Sequence, residues 1–123
     1  MNLAMLYLGA ALAALWGIIH LVSTGSIVNR FGDISADNER ILTMSWMADG
    51  IALVTIGVLV GVVAYIDTAS SVAGAVFLVS AVGLLVLALV SFSTGFKVNE
   101  LPFKLCSVIR VVSALLILAG GFL

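Results

Sequence analysis

Three ionisable side chains stand where charge is costly. His20, Asp49 and Arg110 each fall inside a long apolar stretch, and a charged group at the centre of a membrane helix costs ~2.5–3.5 kcal/mol on insertion scales. An Asp49–Arg110 ion pair would offset much of that cost, and His20 could join it by hydrogen bond. Polar and aromatic neighbours recur around them at helical spacing. Ser45 precedes Asp49 by four residues, Cys106 and Ser107 precede Arg110 by four and three, and Ser113 follows it by three. Trp16 lies one turn before His20, and Trp46 three residues before Asp49. Trp16, His20, Ser45, Trp46, Asp49, Cys106, Arg110 and Ser113 thus outline an aromatic-walled polar pocket. It would suit an amphipathic molecule with an apolar body and a polar head, a quinone or lipid-like compound.

Plainer roles compete with each assignment. Arg110 has a stem long enough to reach headgroups unaided. Trp16 and Trp46 suit an interfacial belt, and His20 a half-solvated position near an interface. Cys106 suits simple packing as a small apolar residue. Asp49 is the hardest to explain away, because a short carboxylate cannot snorkel.

The elements that carry these residues follow from composition. Of 123 residues, 63% are hydrophobic and 9% charged, against roughly 25% charged in soluble domains. So few charges cannot coat a water-soluble fold, and a disordered chain would be polar. The remaining class is all-α integral membrane protein. Apolar stretches at about 3–23, 44–66, 72–92 and 105–123 each approach the ~20 residues that cross ~30 Å of hydrocarbon. They predict one domain, a bundle of four antiparallel transmembrane helices. Asp67–Ser71 reads as a short polar turn with Asp67, Thr68 or Ser70 available as caps. Gly95 suits the left-handed position past a helix, and Pro102 a first turn. Asp37 and Glu39 are placed to meet the positive end of a second helix that can begin ahead of the bilayer. The Ile27–Gly32 segment reads equally as an interfacial stretch or as a continuation of helix one.

Orientation comes from the basic residues. Arg30, Arg40, Lys97, Lys104 and Arg110 all lie in or beside the 1–2 and 3–4 connections. The positive-inside rule then makes both connections cytoplasmic and both termini external, in a multi-pass protein of the inner (plasma) membrane. Ala11-Leu12-Ala13 mimics a signal cleavage site, but no basic residue precedes the apolar run, which predicts a retained helix.

Small residues form two further patterns. Gly9, Ala13 and Gly17 recur every four positions, and Gly57 and Gly61 make a GxxxG. Such faces pack helices within one bundle or form the seam of a homodimer or larger membrane complex. Absences narrow the chemistry. A single histidine builds neither bis-histidine haem nor a HExxH site, and one cysteine builds no internal disulfide. No phosphate-binding glycine loop or basic nucleic-acid surface is present.

Trp16-Gly17-Ile18-Ile19-His20, Gly50-Ile51-Ala52-Leu53 and a first connection bearing Phe31 resemble the DoxX-like group of small four-helix bacterial membrane proteins. The resemblance implies quinone-linked or redox partners and an accessory-subunit role, and it assigns no catalytic residue. The expected function is a non-catalytic binding or accessory protein that uses the polar cluster. The alternatives are a dimeric transporter or channel with Asp49 as a proton- or ion-coupled carboxylate, and an assembly protein that grips other helices through glycine faces.

Overall fold

The computed structural model describes all residues 1–123 and is entirely helical. Helix α1 spans Leu3–Asn29, α2 Ala36–Ile66, α3 Ser71–Val90 and α4 Leu101–Phe122, with a π-helical turn at Ser91–Gly95 continuing α3. Four helices are long and apolar enough to cross a membrane.

Two helices outrun the stretches expected from hydropathy. α1 continues from Ser23 to Asn29, and α2 begins at Ala36 rather than near Met44. At 1.5 Å per residue, 31 residues of α2 reach ~46 Å, well beyond the ~30 Å of hydrocarbon. The added turns of α2 are polar, with Ser35 accepting from Asn38 N–H at 3.1 Å as N-cap and Asp37 and Glu39 in the first turn. Of the Ile27–Gly32 segment, Ile27–Asn29 continue α1, with Ile27 and Val28 buried, while Arg30–Gly32 form an exposed turn beyond it. Ser70 caps α3 through Ala73 N–H at 3.1 Å. In the same turn Ala69 N–H donates to the Asp67 carboxylate at 2.8 Å. That backbone bond, with the Ser70 hydroxyl, holds the carboxyl below the usual carboxylate range. Pro102 sits in the first turn of α4 as expected. Gly95 does not take the left-handed position, because it closes the π turn. The glycine with positive φ is Gly32, at 71°, past the end of α1.

Glycines set the helix spacing. A Cβ on Gly17 would lie 2.6 Å from the Gly50 carbonyl oxygen, and one on Gly57 2.5 Å from that of Ala10. One on Gly9 would meet the Ser113 carbonyl at 2.9 Å. The Gly9/Ala13/Gly17 ridge and Gly57 are therefore occupied inside the chain, where backbones pack directly on one another. Gly61 makes only ordinary contact, 3.9 Å to the Ala10 side chain. The core beneath is Leu6, Leu53, Phe77, Leu84 and Ile117, all fully buried. The strong seams are α1–α2, α1–α4 and α3–α4, while α2 and α3 pack loosely although a short turn joins them.

Candidate functional site

The three intramembrane ionisable groups meet. Asp49 Oδ2 lies 3.1 Å from His20 Nε2 and accepts a second hydrogen bond from Arg110 Nη2. α1, α2 and α4 each contribute one member. The Arg110 and His20 side chains are 6% and 1% exposed, whereas Asp49 keeps 25% exposure, so the carboxylate is the accessible face of a buried ion pair.

Each partner is held in place. Arg110 Nη1 donates to the Leu87 carbonyl at 3.1 Å and to the Ser91 hydroxyl. Arg110 Nε is buried and has no partner. Ser91 passes its own hydrogen to the Leu87 carbonyl at 2.7 Å. His20 Nδ1 lies 3.1 Å from the Trp16 carbonyl, which can only accept, so Nδ1 carries a hydrogen and donates. Nε2 then faces Asp49 and, at 3.6 Å, Cys106 Sγ. Protonated, it donates to the carboxylate; unprotonated, it accepts from the thiol. The His20 carbonyl in turn accepts from Trp46 Nε1 at 2.8 Å and Thr24 Oγ1 at 2.9 Å.

The tryptophans are not free belt residues. Trp46 stacks on His20 with ring centroids 4.2 Å apart and planes 16° apart, and Trp16 meets it edge-on at 5.6 Å. Phe103 meets Trp46 edge-on with ring centroids 5.4 Å apart. A cavity of about 220 Å³ opens beside Asp49 and Arg110, with Trp46, Ser91, Thr94 and Phe103 in its wall.

Six expected residues (Trp16, His20, Trp46, Asp49, Cys106 and Arg110) come together, and two do not. Ser45 is exposed and makes no hydrogen bond with the protein. Each four-residue step turns a further ~40° around a helix, and Asp49 already lies at the edge of the face of α2 buried through Gly50, Leu53 and Gly57. Ser45 is turned away beyond that edge. Ser113 is fully buried, but it donates to the Gly9 carbonyl at 2.6 Å and so fastens α4 to α1 one turn from Arg110. Sequence reasoning missed Ser91, Thr94 and Phe103.

No family model, curated protein or solved structure matches the chain. The functional reading therefore rests on the site itself.

Proposed function

We propose that this chain is a multi-pass protein of a bacterial or archaeal inner membrane, an antiparallel four-helix bundle with both termini outside. On this reading it is a non-catalytic binding or accessory subunit that holds an amphipathic small molecule, quinone- or lipid-like, at a polar cluster in the cytoplasmic leaflet. The observation that carries the reading is the cavity of about 220 Å³ against the Asp49–Arg110 pair. It is smaller than the ~300–1,000 Å³ of sites that enclose a drug-sized ligand, and it suits a head group whose apolar remainder stays among the helices. Asp49 remains one-quarter exposed at the cavity wall, so its carboxylate is within reach of such a head group. The accessory role agrees with the resemblance to DoxX-like proteins. Homodimers or larger complexes would use faces other than the glycine ridge buried along α1.

The test is native mass spectrometry of protein extracted with its own lipids, together with thermal stability on adding quinones and lipids. The expected result is a co-purifying amphiphile whose retention is lost in Arg110→Leu. Absence of any bound amphiphile, with Tm unmoved by every addition, overturns the reading. One feature also suits transport: a half-buried carboxylate with an accessible oxygen is what proton or ion coupling needs. Flux in reconstituted vesicles that disappears in Asp49→Asn would replace binding with transport.

A further inference from the structure

Asp49 leaves one oxygen open. His20 and Arg110 both bond to Oδ2. Oδ1 accepts nothing from the protein, and it is not among the buried atoms lacking partners, which are Trp16 Nε1 and Arg110 Nε. The hydroxyl and indole groups of the cavity wall have already committed their hydrogens. Thr94 donates to the Val90 carbonyl at 2.6 Å, Ser91 to Leu87 at 2.7 Å, and the Trp46 indole to His20 at 2.8 Å. What these groups and Asp49 Oδ1 offer is acceptors, so a head group that answers Oδ1 must donate a hydrogen bond. An ammonium would do so only by setting a second cation beside the Arg110 guanidinium. A quinone or ester carbonyl accepts only, and would leave Oδ1 unanswered in a low-dielectric setting. A hydroxyl donates to the carboxylate and keeps lone pairs for a guanidinium that is nine-tenths buried and has N–H hydrogens without partners at Nε and on Nη2.

The loose seam supplies room for the rest of such a molecule. Val76, Ser80, Gly83, Leu87 and Thr94 follow one another along the side of α3 turned to α2. A second cavity of about 510 Å³ lies in this seam between Leu59 and the Val76–Ser80 turn. Gly83 stands between the two cavities, and a Cβ built on it meets nothing within 4 Å.

We infer that the site takes a neutral amphiphile with a hydroxyl head, aliphatic or phenolic, which enters sideways from the bilayer between α2 and α3 and lays its apolar chain along that seam. This rests on the binding reading above and names its ligand class. The experiment uses the full chain in lipid nanodiscs and two matched probe pairs: geranylgeraniol with its methyl ether, and a decyl hydroquinone with its dimethyl ether. Binding is followed through tryptophan fluorescence, to which Trp46 in the cavity wall contributes. At least one hydroxyl compound binds about tenfold more tightly than its ether, the worth of one hydrogen bond to a charged group. The pair showing the difference tells an aliphatic from a phenolic source. Thr94→Val narrows the difference without touching the ion pair, and Asp49→Asn removes it if that variant folds. Gly83→Phe abolishes binding while the unliganded Tm stays near wild type. Ethers that bind as tightly as alcohols overturn the hydroxyl inference but leave an amphiphile site standing. Unchanged binding in Gly83→Phe overturns the lateral route. Failure of all four probes, with no co-purifying amphiphile, overturns both this inference and the binding reading.

Discussion

At the scale of single residues, Asp49 is the hinge of the site because one of its oxygens serves two helices at once. Burying charge is unfavourable, and removing one partner of a buried pair strands the other at a cost of about 3–5 kcal/mol. Arg110→Leu is therefore expected to destabilise the protein by roughly that much, since Asp49 would keep only His20. Asp49→Asn with Arg110→Leu is expected to recover about 2 kcal/mol of the summed losses, because the stranded charge goes with its partner. Reversible unfolding of the two single variants and the double variant in mixed micelles measures the coupling. Strictly additive losses would mean that the pair contributes nothing as a pair. The meeting of Asp49, Arg110 and His20 was legible in the sequence for this energetic reason: three isolated charges in hydrocarbon have few stable arrangements other than one another's company. Ser91 was not legible, because its role depends on Arg110, nineteen residues away on another helix, and no local pattern reports that.

At the scale of elements, the helices are spaced by glycines whose roles differ sharply although all look alike in an apolar sequence. Gly17→Ala and Gly57→Ala would press a methyl to 2.6 and 2.5 Å from facing carbonyl oxygens, an overpacking expected to cost about 1–3 kcal/mol each. Gly25 also lies in α1, but nothing stands within 4 Å of its Cβ position. Gly25→Ala is expected to stabilise by roughly 0.5–1 kcal/mol through helix propensity alone. Unfolding of the three variants side by side checks the contrast, and equal effects would refute close backbone packing at Gly17 and Gly57. Helix number and centres could be read from hydropathy, as could Pro102 in a first turn and Ser70 among the possible caps. Helix ends could not, because hydropathy marks where the bilayer stops and not where backbone hydrogen bonds stop. Ser35 with Asp37 and Glu39 held the information for the true start of α2, outside the apolar stretch. The π turn at Ser91–Gly95 had no signature at all. Such turns often accompany functional sites, and this one presents Ser91 to Arg110 and Thr94 to the cavity.

At the scale of the whole molecule, the two longer connections lie at one end and are tied there. Arg30 from the end of α1 donates to Glu100 at the start of α4 at 2.7 Å. Both side chains are about half exposed, so the pair adds little stability. Its value is as a marker that the 1–2 and 3–4 connections emerge on the same side, with the Asp67–Ser70 turn at the far end. The same end gathers Arg30, Arg40, Lys97 and Lys104, and the proposed orientation puts that end on the cytoplasmic side, where basic residues are retained. Cys106 is buried, so the native thiol is silent to a membrane-impermeant maleimide and introduced thiols can be read against it. Asp33→Cys and Lys97→Cys are expected to label only in inside-out vesicles, and Thr68→Cys only in right-side-out ones. Labelling of all three from the opposite faces would invert the assigned orientation but keep the fold. Asp33→Cys and Lys97→Cys reacting on different sides would contradict the Arg30–Glu100 contact, and with it the alignment of helices that brings His20, Asp49 and Arg110 to one depth.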